Sequence, residues 1–158
     1  MTLTLTQLQA IKADILADPA LAAQPMNSDG AFAIAAAYNL PAAPAFTVWR
    51  TSVETSEIMS NGFIWSVVDA LTAGKARIWD WMMRNGTINP SRPNVREGLA
   101  DAFGAGSQMA TQIVPYLKRL SSRIEKLLAT GTGSDATPAT MGYEGPISFH
   151  EIEQARAS

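Results

Sequence analysis

Few side chains in this sequence could do chemistry. His150 is the single histidine and there is no cysteine. A metal held by imidazole or thiolate needs several such groups, so a cluster would have to be built from carboxylates alone. A Ser/His/Asp device would have to recruit His150 from a terminal segment, where precise positioning is hardest. His150 reads instead as a surface or interface residue at a helix start. Glu54 with Glu57, and Asp69 with Asp80, are the residue types of a glycoside-cleaving acid/base couple. Yet Asp80 lies three residues after Arg77 and four before Arg84, the spacing of helix-surface ion pairs worth ~0.2–0.5 kcal/mol. Gly131 to Ser134 has the composition of a phosphate loop but follows a helix and precedes a proline-containing coil. A dinucleotide fingerprint needs a strand before it and a helix after it. The sequence therefore predicts no catalytic, cofactor-binding or metal-binding residue, and no enzyme.

Charge is the next source of function. The net charge is −2 and only 16% of residues are charged, which excludes a nucleic-acid binder acting by overall charge. The distribution is uneven. Lys118, Arg119, Arg123 and Lys126, with Ser122 among them, form a basic stripe opposed locally by Glu125 alone. That stripe can meet phosphates or an acidic partner, or oppose the dipole at a helix C-terminus as a solvated face. Beyond Thr130 the balance reverses, with Asp135, Glu144, Glu151 and Glu153 against Arg156. A second copy of the chain is thus a candidate partner.

The elements that must position these residues are helices. Ser66 to Gly86 anchors the chain, with Thr72 as N-cap and Gly86 closing the helix. Leu71, Gly74, Ile78, Trp81 and Met82 share one face at helical spacing. Ala76, Trp79 and Met83 share a second. The first face is expected to be core, with Trp81 inside, and the second is a candidate oligomer surface. Before it, Thr4-Gln7 or Thr6-Gln9 caps a helix carrying Leu8, Ile11 and Ile15, which ends before Pro19. Asn27 to Asp29 open an alanine-rich helix over Ala31 to Asn39. Pro41 to Arg50 is read as a short helix, with a strand through Phe46 to Val48 as the alternative. Glu54 to Ser60 forms a short helix closed by Asn61-Gly62, and Phe63, Trp65 and Val68 enter the core.

After Gly86, Pro93 opens a helix whose apolar side is Val95, Leu99, Ala102 and Phe103, broken by Gly104 and Gly106. Ser107 then caps the longest helix, to about Ala129, which Pro115 must kink or split. Thr130 to Gly142 is Gly-, Thr- and Pro-rich with no period, the composition of a linker. Ser148 and Glu151 cap a last helix bearing Phe149, Ile152 and Ala155. The predicted fold is all-α: one helical bundle over residues 1–129 and an extended C-terminal arm over 130–158 ending in a short helix. Tyr143, Ile147, Phe149 and Ile152 are then a partner-binding arm. Its deletion would leave a folded domain, unless the last helix folds back onto that domain. No apolar run approaches the ~20 residues that span a bilayer, and no signal peptide is read at the N-terminus. The expectation is a soluble intracellular protein with no membrane contact.

The strings NGFIWSVVDALTAGKARIWDWMMRNGTINPSRPNVREGL and RIEKLLATGTGSDATPATMGYEGPIS, with the start TLTQLQAIKADILADPAL, resemble a family of small structural-cluster proteins of tailed bacteriophages. These motifs are distinctive as strings and carry no assigned catalytic residue. The plan is also similar to head–tail adaptors of short-tailed phages, helical domains whose C-terminal arm grips the portal. That likeness is one of architecture. The resemblance implies a virion structural protein, best read as the head–tail connector, binding the portal protein, other neck or tail proteins and its own copies in a ring. It would sit in the virion neck, in the host cytoplasm during assembly, with packaged DNA as a non-specific contact. The alternatives are tail completion, capsid decoration, a DNA-packaging accessory factor, or a small muralytic hydrolase, since some such adaptors resemble lysozyme-like domains.

Overall fold

The computed structural model of the protein describes residues 2–60, 63–104 and 109–158. The chain is mainly helical, with small two-stranded sheets. It forms two units, each with its own core: Met1–Val48 with Leu120–Ser158, and Trp49–Arg119.

In the first unit, α1 (Leu5–Ala17) starts at Thr4, whose hydroxyl and Gln7 make the reciprocal capping box. Asp18 ends it and caps α2 (Pro19–Ala22) through the Ala20 and Leu21 amides. Asn27 caps α3 (Ser28–Asn39) through the Gly30 amide at 3.0 Å. The chain leaves this unit through β1 (Thr47–Trp49) and returns through β4 (Lys118–Leu120) into α9 (Arg123–Leu127) and α10 (Phe149–Ala157). Ile11, Ile15, Ala31, Ile34 and Tyr38 form its core with Ile124, Tyr143, Ile147, Ile152 and Ala155.

The second unit opens with β2 (Val53–Glu54), α4 (Thr55–Ser60), α5 (Trp65–Asp69) and α6 (Ala73–Arg84). It continues through β3 (Thr87–Ile88), α7 (Pro93–Phe103), a π-helical turn over Met109–Ile113 and α8 (Val114–Leu117). Strands β2 and β3 pair antiparallel, Val53 opposite Ile88 and Glu54 opposite Thr87. Its core gathers Val53, Ile58, Phe63, Trp79, Ile88, Leu99, Ile113 and Leu117. Among the described residues no helix is long and apolar enough to cross a membrane.

Four expectations need correction. Pro41 to Arg50 holds a strand rather than a helix, because the Thr47 amide and carbonyl are both taken by a neighbouring segment, at Gly133 and Ala139. The long helix expected from Ser107 to Ala129 is instead a π turn, α8, β4 and α9. Pro115 cannot donate to a preceding turn and sits at the start of α8. The helix stops at Leu117, whose carbonyl accepts from Arg50 at 2.9 Å. Ser107 and Gly106, and the Asn61-Gly62 stop, lie outside the described residues.

Third, Thr130 to Gly142 is largely exposed, yet main-chain bonds tie it down rather than leaving it a free linker. Thr130 and Thr140 exchange backbone hydrogen bonds of 2.9 Å, and Ala139 is buried beside Val48. The entropy of ordering this stretch is offset by main-chain bonds, where apolar side chains are lacking. Fourth, the segment beyond it does not extend away: α10 packs back against α1 and α3.

Gly133 shows why the stretch is glycine-rich. Its φ is +66° and an added Cβ would fall within the Phe46 ring. Gly133→Ala is expected to cost about 2–4 kcal/mol, from a left-handed backbone and an overpacked contact together. The urea midpoint measures it. A midpoint equal to the parent's would mean that the loop does not hold β1.

Candidate functional site

The densest polar cluster of the first unit lies where α1, α3 and α9 meet. Asp14 is on α1, Asp18 at its end, Tyr38 on α3 and Arg123 at the start of α9. Arg123 Nη2 lies 2.9 Å from Asp14 Oδ2 and Nη1 3.0 Å from Asp18 Oδ2. The guanidinium sits over the Tyr38 ring at 5.1 Å, and the Tyr38 hydroxyl donates to Asp14 Oδ2 at 2.8 Å. An open cavity of about 530 Å³ lies beside them, bordered also by Leu40, Pro41 and Lys126.

This cluster is electrically closed. The hydrogen bond from Arg123 holds the Asp18 carboxyl below its ordinary range, helped by the Ala20 amide. Burial, and then the bond to Asp14, pushes the Tyr38 hydroxyl far up. Burial acts against the charge of Arg123, but its bonds to Asp14 and Asp18 outweigh that and raise its pKa. Two carboxylates offset Arg123 and Lys126, so the cavity does not favour an anion. The arrangement positions three helices rather than a substrate.

A pH dependence follows. Asp18 has a folded pKa below its unfolded one, so its contribution is present above the unfolded value and lost as pH falls through the folded value. Arg123→Met should lower the urea midpoint at pH 7 and flatten its decline between pH 5 and about pH 3. An acid limb as steep as the parent's would place that dependence elsewhere.

Several other charged residues are occupied in the same way. The expected single helical stripe is not formed: Lys118 and Arg119 lie on β4, and Arg123 and Lys126 on α9. Lys126 Nζ donates to the Pro44 carbonyl at 3.4 Å and lies 5.7 Å from the Phe46 ring. Glu57 is gripped at both oxygens by Arg50, at 2.6 and 3.0 Å, which lowers its pKa. A carboxyl so held is a poor general acid. Asp80 pairs with Arg84 at 2.8 Å, as the spacing predicts. Asp69 and Glu54 are exposed. No group of three or more His, Cys, Asp or Glu among the described residues is placed to hold a metal.

Of the four residues expected on a partner-binding arm, Tyr143, Ile147 and Ile152 are core residues of the first unit. Phe149 is half-buried and stacks on the exposed Phe32 at 4.0 Å between ring centres. His150, at the start of α10, is exposed and lies 3.4 Å from Glu153. Two tethers escape a reading of the sequence. Glu125 is buried and accepts from the Ser122 and Gly145 amides at 2.9 and 3.0 Å. Its signal is the Ser-x-x-Glu spacing of a capping box. Asn39 accepts from the Ile147 amide at 2.8 Å and donates to its carbonyl at 3.0 Å, for which no local signal exists.

No known protein family, curated protein or solved structure matches the chain.

What remains is surface. The second unit holds all four tryptophans. Trp79 is buried, stacked on Phe63 at 5.3 Å and edge-on to Phe103 at 4.9 Å. Trp81, expected inside, is 63% exposed, and Trp65, also expected inside, is 54% exposed. Two apolar faces of α6 compete for the core, and Phe63 and Phe103 select the one bearing Trp79. Trp81 is left beside Ile78, Gly74, Lys75 and Arg77 along a shallow groove.

Proposed function

We propose that this chain is a structural protein of a tailed-phage virion, acting at the head–tail junction as a connector that binds the portal and neighbouring copies in a ring. The observation that carries this reading is the exposure of Trp65 and Trp81 within the stretch that resembles the phage family. A large aromatic left in water favours association, each ring offering on the order of 150–250 Å² for burial. The low charged fraction acts in the same direction. One carboxyl of each candidate couple, Glu57 and Asp80, is held in an ion pair, so assembly is better supported than glycoside cleavage. In the connector reading, the contacts come from the surface of the second unit, since the C-terminal segment serves its own core.

The test is electron microscopy of purified particles, with the chain located by a labelled antibody. Density at the neck, in several copies around the axis, is the expected result. The chain elsewhere on the particle would replace the connector with another structural role. Absence from particles, together with clearing of peptidoglycan by the purified monomer, would overturn the proposal.

A further inference from the structure

We infer that the Trp81 face of α6 docks into the hollow beside α10 on a second copy of this chain. The donor face lies wholly in the second unit. Trp81 projects from α6 with Arg77 over its ring at 5.8 Å, and the groove beside it, about 580 Å³, is edged by Lys75 and Asp101. Asp80 is engaged with Arg84 at 2.8 Å and does not neutralise Arg77. The face is thus one large ring flanked by two cations, with a single carboxylate at its edge.

The receiving hollow lies wholly in the first unit. It measures about 220 Å³ and is lined by Met26, Asn27, Glu153, Arg156 and Ala157. Small-molecule sites run to roughly 300–1,000 Å³, whereas about 150 Å³ takes a benzene ring. A hollow between these sizes suits one large aromatic side chain. Met26, 80% exposed, offers a flexible thioether to such a ring. Arg156 keeps its charge, but both its terminal nitrogens are held by the Gln24 and Pro25 carbonyls at 2.7 and 2.8 Å, so Glu153 is the charged acceptor that the lining offers an incoming cation. Glu153 is met by the Ser28 hydroxyl at 2.8 Å and by His150 at 3.4 Å, with no Lys or Arg beside it in an ion pair among the described residues.

Charge complementarity selects the partner. The first unit carries eight carboxylate residues against four Lys and Arg, and the second carries eight Lys and Arg against six carboxylates. A nucleic acid would meet only two cations on this face and would be repelled by Asp101. A second copy supplies the hollow and Glu153 together. The contact joins different surfaces of the two copies, the heterologous kind that closes into a ring when the rotation permits. It rests on the ring reading above for that closure only.

The test uses the full chain in sedimentation velocity over a concentration series, with Arg77→Glu, Glu153→Lys, the double variant and Trp81→Ala. Self-association of the parent is expected. Each single variant should weaken it tenfold or more at a melting temperature within about 3 °C of the parent's, and the double variant should recover most of it. A parent that stays monomeric, single variants at the parental level, or a double variant weaker than either single would overturn the contact. DNA binding lost in Arg77→Glu with self-association intact would overturn it too. A chain found at the virion neck but monomeric in solution defeats the contact and leaves the virion reading. A self-associating chain missing from particles does the reverse.

Discussion

A chain that ends at Ile147 is expected to have no cooperatively folded first unit. Removing Ser148 to Ser158 deletes α10, whose Ile152 and Ala155 are fully buried against α1 and α3. It also removes the Arg156 bonds to Gln24 and Pro25, the Glu153 bond to Ser28, and the Lys12 contact with the Ser158 carbonyl. Losing one buried isoleucine costs ~2–5 kcal/mol, and a domain of this size has only about 5–15 kcal/mol in total. Ile11 and Ile34, both fully buried in the parent, belong to the same core and would lose its cover. The measurement is far-ultraviolet circular dichroism through a urea titration. The tryptophans all lie in the second unit, so their emission reports whether the loss spreads there. A truncated chain with the parental helical transition would restore the separable arm expected from composition. Ile152→Ala alone is the milder form, expected to lower the midpoint without abolishing the transition.

Local signals were legible wherever they are self-contained. The Thr4-Gln7 and Ser148-Glu151 capping boxes, the Asn27 cap and the first-turn Pro93 all depend on residues within a few positions. The apolar residues Tyr143, Ile147 and Ile152 point to burial against something, as the partner-binding reading requires. What spacing does not specify is the partner. The Asn39–Ile147 pair and the Glu125–Gly145 bond span 108 and 20 residues, so no local window contains both ends. The helix expected over Ser107 to Ala129 failed for a related reason. Its apolar positions fit a helical period, but Lys118–Leu120 is drawn into strand geometry by contacts distant in sequence. The Ser121 amide, for example, donates to the Phe46 carbonyl at 2.9 Å. Of the candidate site, the Asp80–Arg84 pair was legible. The Arg123 cluster was not, since its two carboxylates come from α1 and its edge.

Trp79→Ala is expected to destabilise the second unit by about 3–5 kcal/mol, the cost of removing a large aromatic from a core. Trp79 is 5% exposed, with Phe63 parallel to it and Phe103 edge-on. Phe63 and Phe103 also meet edge-on, at 6.3 Å between ring centres, so the variant leaves a cavity lined by two rings. Trp81→Ala, two residues away, should shift the melting temperature by no more than about 3 °C, because an exposed side chain costs little to remove. Fluorescence gives an independent reading. Loss of Trp79 should remove the blue-shifted part of the emission, and loss of Trp81 the red-shifted part. The contrast separates two readings of one helix that periodicity cannot distinguish. If Trp81→Ala were the more destabilising variant, α6 would be rotated and Trp81 would be core after all. With Trp79 as the core ring, Trp81 is free to serve a surface contact.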